Sequence, residues 1–171
     1  KIPITILVYA NLVYQKGLDI FYKQAKKDGV DAILIPDLPF EEAKPFIKSA
    51  KKYKIDQIFL ITQTTSKERL SKILKVAVGF LYVVSILGIT GERRNISKET
   101  LRLIKSVKRK TNLPLAVGFG ISKSHHFQQL TTSGADGTIV GSALIKIIAK
   151  AGPKKLLFEI DKYIKQLITK T

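Results

Sequence analysis

Three glycine-bearing segments late in the chain have the make-up of an anion cradle: Gly88-Ile89-Thr90-Gly91, Gly118-Phe119-Gly120-Ile121-Ser122 and Gly141-Ser142-Ala143. Glycine lets the backbone approach an anion with no Cβ in the way, and it also permits positive φ. Residues Ala143–Lys150 read as a short helix. The unbonded N–H groups at a helix start, with the helix dipole, favour a bound phosphate, and Ser142 adds a hydroxyl donor. Any one of these glycines is as well read as a turn glycine. Two of the segments, however, end the last two strands of the chain, and the second opens a short helix, which is where (β/α)8 barrels hold phosphate. The polar stretch Gly88–Ser97 has the length of an active-site flap or of an ordinary loop. Among the carboxylates, Asp31, Asp56 and Asp136 precede strands, on the face opposite a barrel's active site. Asp37 is the acidic residue immediately after a strand end, where it is either a solvated turn residue or a polar contact near the mouth.

The elements that must position these residues repeat. Apolar, β-branched runs predict strands at Ile4–Tyr9, Ala32–Ile35, Gln57–Ile61, Phe80–Ser85, Leu115–Gly118 and Gly137–Val140. Helices with core faces at i, i+3, i+4, i+7 alternate with them: Leu18, Phe21, Tyr22 and Ala25; Ala43, Phe46, Ile47 and Ala50; Leu70, Ile73, Leu74 and Ala77; Leu101, Ile104 and Val107. A helix is also expected near Ser124–Thr132, and a final one with core face Leu157, Ile160, Ile164 and Ile168. Ser66 and Ser97 are candidate caps. Strand–helix alternation with continuous apolar strands predicts an α/β fold with a parallel sheet covered on both faces. The late position of the phosphate signals favours a (β/α)8 TIM barrel over an open doubly wound sheet, whose phosphate loop comes early. The expectation is one partial TIM-barrel domain over residues 1–171, holding strands three to eight as six βα units.

The 171 residues carry a net charge of +17 with 45% hydrophobic residues and no Cys. No disulfide or thiolate site is possible, and with His125 and His126 adjacent no metal cluster is expected. No apolar run reaches the ~18 residues of a membrane helix, and the N-terminus does not read as a signal peptide. A charge of +17 raises the alternative of a basic nucleic-acid-binding module. Against it, the lysines are scattered, Arg is scarce, and no aromatic–basic interleaving suits single strands.

Further segments make the reading more specific. Pro3–Tyr14 followed by Gly17-Leu18-Asp19 and Phe21-Tyr22, Gly29-Val30-Asp31 leading into Ile35-Pro36-Asp37-Leu38-Pro39-Phe40-Glu41-Glu42, Gly88–Gly91, Ala116–Ser122 and Gly134–Ile148 run in order along the chain. Together they resemble strands three to eight of tryptophan synthase alpha subunits. The resemblance implies aldol-type cleavage of indole-3-glycerol phosphate to indole and glyceraldehyde 3-phosphate in L-tryptophan biosynthesis. It further implies a partner beta subunit in an α2β2 tetramer, with pyridoxal phosphate only in that partner and no cofactor in this chain. It maps phosphate binding to Gly91, Gly120, Gly141 and Ser142, and the indole pocket to Leu7, Leu34, Leu60, Tyr82 and Phe119. It sets Thr90 in the lid, and Tyr9, Asn11 and Asp37 at the mouth. For the pocket residues, core packing is the alternative that the residues alone support. The resemblance places the catalytic Glu and Asp on strand two and the loop after it. No carboxylate here takes either role, so the chain as it stands is expected to be a partial sequence that binds phosphate weakly without cleaving the substrate. Cytoplasm, or the plastid stroma for an organelle-encoded chain, is the expected compartment. Another sugar-phosphate barrel, such as an indole-glycerol-phosphate synthase or a phosphoribosylanthranilate isomerase, is the alternative within the same fold.

Overall fold

The structure, a computed structural model, describes residues 2–85, 96–118 and 120–169. The chain divides into two compact units, Lys1–Tyr82 and Val83–Thr171. The first unit begins with β1 (Thr5–Leu7), α1 (Ala10–Lys16), α2 (Leu18–Lys27) and β2 (Ala32–Leu34). A 3-10 turn at Phe40–Glu42 leads to α3 (Lys44–Tyr53), β3 (Asp56–Ile61) and α4 (Lys67–Leu74). β4 (Leu81–Val84) spans the boundary. The second unit continues with α5 (Lys98–Lys108), β5 (Leu115–Gly118), α6 (Ser124–Thr132), β6 (Gly137–Ile139), α7 (Ser142–Lys150) and α8 (Leu156–Ile168). Five of the six strands lie within one residue of the expected ends. β1 is shorter, because the chain turns into α1 at Ala10.

One corner returns the chain from helix to strand three times. A left-handed residue is followed by a buried apolar residue and then by an aspartate: Gly29-Val30-Asp31, Lys54-Ile55-Asp56 and Gly134-Ala135-Asp136. The left-handed residues have φ of +83°, +54° and +101°. The apolar residue sends its N–H back into the helix, Val30 to Ala25 O, Ile55 to Ala50 O and Ala135 to Leu130 O, at 3.0 to 3.1 Å. These bonds take up carbonyls that a helix C-terminus otherwise leaves unpaired. The aspartate N–H then starts the ladder to the preceding strand, Asp31 to Ile4 O and Asp136 to Leu115 O.

In the first unit β1 pairs β2 and β2 pairs β3, all parallel. Ile6, Ile33 and Gln57 share one row of the register, and alternation turns that row toward the helices. Ile33 is fully buried against Val13, Tyr22 and Phe46, and each such buried side chain stabilises the fold by about 1.5–3 kcal/mol. Gln57 sits in this apolar layer because it is fully used: its Oε1 accepts from the Tyr22 hydroxyl, and its Nε2 donates to Ile33 O at 3.3 Å. Burial pushes the Tyr22 phenol well above its ordinary pKa.

In the second unit β5 and β6 are parallel, with Gly118 opposite Ile139. Ile104 and Val107 of α5 and Leu130 of α6 are fully buried, as the helical spacing predicts for α5. Both expected serine caps form: Ser66 Oγ accepts from Arg69 N at 3.1 Å and Ser97 Oγ from Thr100 N at 3.2 Å. α8 corrects its expected face. Leu167 is buried and Leu156, Ile160 and Tyr163 are half-buried, whereas Leu157, Ile164 and Ile168 are exposed. The apolar stripe is wider than the contact it makes, and spacing alone could not choose its phase.

Candidate functional site

Several of the expected residues lie on strands or just beyond their ends. In the first unit, Leu7, Leu34 and Ile58 are register partners, so they project from the face opposite α2 and α3, and Leu60, two residues on, shares that face. Leu34 is buried and Leu60 half-buried, while Leu7 is 59% exposed. Leu7, Leu34 and Leu60 thus form one apolar face, open on the β1 side. Tyr82 of β4 is buried between Leu81 and Val83 in sequence, and burial raises its phenol pKa.

A cleft of about 340 Å³ lies where β2 and β3 end, lined by Asp37, Phe40, Phe59, Leu60, Thr62 and Arg69 among others. It brings together two of the expected residues, Leu60 and Asp37. Sequence reasoning missed the ion pair at its wall: Arg69 donates to Glu41 Oε1 from Nε at 3.1 Å and from Nη2 at 3.0 Å. The partners are 28 residues apart, and no local pattern links them.

Tyr9, Asn11 and Asp37 differ from their expected setting. β1 ends at Leu7, so Tyr9 is the residue before α1 and Asn11 lies inside its first turn. Tyr9 supplies no side-chain cap. The cap comes instead from Asp37, whose Oδ1 accepts the Ala10 N–H at 3.0 Å. A carboxylate is well suited to a helix N-terminus. Asp37 is therefore more than a solvated turn residue: it ties the segment after β2 to the helix after β1.

In the second unit, Gly118 and Ile139 are opposite each other. Gly120 and Gly141 each follow that pair by two residues in sequence, after the ends of adjacent strands. Gly120 is exposed with φ +78°. Gly141 has φ −113° and open space where a Cβ would stand. Neither positive φ nor a packing clash calls for glycine there. α7 starts at Ser142, one residue earlier than expected, and no side chain caps it. Its first intrahelical bond is Ile145 N to Gly141 O at 3.1 Å, so the amides of Ser142, Ala143 and Leu144 have no acceptor within the helix. Such a start can hold an oxyanion. Thr90, Gly91 and Phe119, and most of the flap Gly88–Ser97, lie outside the described residues. Among the described residues, no group of three His, Cys, Asp or Glu could hold a metal ion, and no helix is long and apolar enough to cross a membrane.

Comparison with known proteins bears on what these strand ends serve. The model of the family "Tryptophan synthase alpha chain" matches residues 1–169. The chain is 45% identical over 166 residues to the tryptophan synthase alpha chain of Methanoregula boonei, covering 96% of this chain and 63% of the relative. It is 48% identical over 160 residues to that of Methanothermobacter thermautotrophicus, covering 93% and 59%. It therefore spans about six-tenths of the length of these relatives. A solved structure of the tryptophan synthase a2b2 complex from Pyrococcus furiosus matches with a TM-score of 0.88 at 40% identity, covering 97% of this chain and 66% of that one. The six strand–helix units are thus those of a partial TIM barrel, as expected, and the alternatives of another sugar-phosphate barrel or a basic nucleic-acid-binding module give way. The chain belongs to the tryptophan synthase alpha chain family.

Proposed function

We propose that this chain carries the substrate-binding strand ends of a lyase that cleaves indole-3-glycerol phosphate to indole and glyceraldehyde 3-phosphate in L-tryptophan biosynthesis. The observation that supports this most is the uncapped start of α7, which follows β6, with the Gly120 loop following β6's pairing partner β5. Gly120, Gly141 and Ser142 would hold the phosphate, together with Gly91. Leu7, Leu34, Leu60, Tyr82 and Phe119 would receive the indole. Thr90 would belong to the lid, and Tyr9, Asn11 and Asp37 to the mouth. The reaction needs an acid for the indole ring carbon and a base for the glycerol hydroxyl. Asp37 is committed to Ala10, and Asp31 and Asp136 to strand starts. The role proposed for these residues is accordingly binding, with proton transfer assigned elsewhere in the family's fold. The a2b2 complex of the Pyrococcus relative supports a beta-type partner, which would carry pyridoxal phosphate, while this chain would need no cofactor. The proposed compartment is the cytoplasm, or the plastid stroma for an organelle-encoded chain.

The test is a titration of the isotopically labelled chain with glycerol 3-phosphate and with glycerol, followed by amide shifts. Saturable shifts at Gly120, Ser142 and Ala143 with the phosphate alone are expected. Equal shifts with glycerol, or none with either, would overturn the phosphate assignment. Indole release from indole-3-glycerol phosphate above a heat-killed control would overturn the division between binding and proton transfer.

A further inference from the structure

The segment that follows β5 is gripped on both sides of a single peptide-bearing residue. Ser122 lies two residues after Gly120. Its N–H donates to Nδ1 of His126 at 3.5 Å, and its carbonyl accepts from the Tyr163 hydroxyl at 3.3 Å. Between Gly120 and Ser122, Ile121 is 3% exposed. His126 is itself 3% exposed and is the third residue of α6, whose N-cap is Lys123. Lys123 makes no side-chain cap. In a capping box, the third helical side chain reaches back to an amide before the helix, and His126 does this to the residue ahead of the cap. Tyr163 comes from α8, and burial raises its phenol pKa.

We infer that His126 and Tyr163 are positioning residues for phosphate recognition, holding Ser122 so that the Gly120 loop keeps its place beside the start of α7. This deepens the proposed function and rests on its phosphate assignment. Glycine at 120, with φ +78°, gives the loop backbone freedom but no side chain to fix it. An anion held by backbone amides needs those amides fixed before it arrives, since ordering them on binding costs affinity. Ile121 supplies an apolar anchor, and the two polar grips on Ser122 set the orientation of the peptide planes beside it. Neither side chain needs to touch the ligand.

The test compares His126→Leu, His126→Gln and Tyr163→Phe with the parent. Three quantities are read: hydrogen exchange at the Ser122 amide, affinity for glycerol 3-phosphate, and affinity for indole as a phosphate-free ligand. His126→Leu is expected to speed Ser122 exchange and weaken glycerol 3-phosphate about tenfold, with indole affinity changed less than twofold. A loss of that size is one hydrogen bond's worth of orientation. His126→Gln keeps an acceptor at the third helical position and should recover most of the affinity. Tyr163→Phe should give a loss of about threefold, because the carbonyl it leaves has other access to water. If the parent binds glycerol 3-phosphate and His126→Leu binds it equally well, the positioning role is wrong and the phosphate site stands. Equal losses for both ligands would mean that His126 serves stability alone. If the parent binds no glycerol 3-phosphate while its Ser122 amide is protected, the phosphate assignment fails and the inference with it.

Discussion

Residues that enter strands and residues that leave them are used differently. At the entrances, polar groups are spent inside the fold. Asp31 Oδ2 accepts from Ile4 N at 2.9 Å, and Asp136 Oδ2 accepts from Leu115 N at 2.8 Å while pairing with Lys108 at 2.7 Å. At the exits, groups are left open: Gly120, Gly141 and Ser142 are exposed, α7 has no side-chain cap, and Leu7 and Tyr9 stand more than half exposed. Two exit segments depart from this: Asp37 is used as a cap, and the loop after β5 is held at Ser122. In a barrel the entrance face serves stability and the exit face serves ligands. This chain draws that division through its hydrogen bonds, and substitutions on either side can break it.

The largest effect is expected at an exit. Gly141→Val fits the backbone, with φ −113° and empty space around the added side chain, but it fills the approach to the α7 amides. Binding of glycerol 3-phosphate should fall by about a hundredfold or more, equivalent to at least ~2.7 kcal/mol, with the melting temperature nearly unchanged. A Gly141→Val protein that unfolds instead would erase the division at this position. Ser142→Ala removes one hydroxyl and keeps the amides, so about tenfold is expected from the same titration.

At an entrance, Asp136→Ala should cost about 2 kcal/mol in urea unfolding while sparing phosphate affinity. It removes the partner of the Leu115 amide and of Lys108 together. The Lys108 ammonium, and then the Leu115 N–H, hold the Asp136 carboxyl below its ordinary 3.8. A carboxylate with a lowered folded pKa stabilises the fold above its unfolded value and loses that contribution as pH falls through the folded one. The stability gap between parent and variant should therefore be constant at neutral pH and close below pH 3.8. A gap independent of pH would remove the charge from the explanation.

Asp37→Ala tests the first of these departures. Losing the cap on α1 should cost about 1 kcal/mol, read by the same unfolding curve, with glycerol 3-phosphate affinity unchanged. A loss of ligand affinity without a loss of stability would return Asp37 to the exit class. The smallest effect is expected at Lys54, the one non-glycine residue with positive φ among the described residues. Left-handed backbone costs a side-chain-bearing residue about 1–2 kcal/mol, and glycine returns part of that as unfolded-state entropy. Lys54→Gly should gain roughly 0.5 kcal/mol, and a loss would show that the lysine side chain does more at this corner than the backbone suggests.

How much of this was legible in the sequence depended on distance along the chain. Strands were visible because β-branched runs such as Ala32–Ile35 need only their own neighbours, and the Ser66 and Ser97 caps act three residues away. α1 was not visible: no helix is read between the strand expected to end at Tyr9 and the helix face beginning at Leu18, and the carboxylate that caps α1 is 27 residues distant. The corner was not read from the sequence: Gly29 and Gly134 are residues that tolerate positive φ, but Lys54 gives no hint of left-handed backbone. In the site, Gly120, Gly141 and Ser142 could be named from composition and order. The Glu41–Arg69 pair and the two grips on Ser122 could not, since each joins elements that only the fold brings together.

The recurring corner also bears on how the chain folds. The strand-entry bonds that the aspartates make close loops of similar length, 27 residues from Asp31 to Ile4 and 21 from Asp136 to Leu115. Closure entropy grows only as the logarithm of length, so these two loops differ by about 0.2 kcal/mol. Topology thus gives neither closure a head start. The order of events is left to side chains, and the fully buried layer of Tyr22, Ile33 and Phe46 in the first unit includes two aromatic rings, where Ile104, Val107 and Leu130 of the second are aliphatic. The first unit is accordingly where a folding nucleus should show high φ-values, with Ile33→Val slowing refolding more than it speeds unfolding.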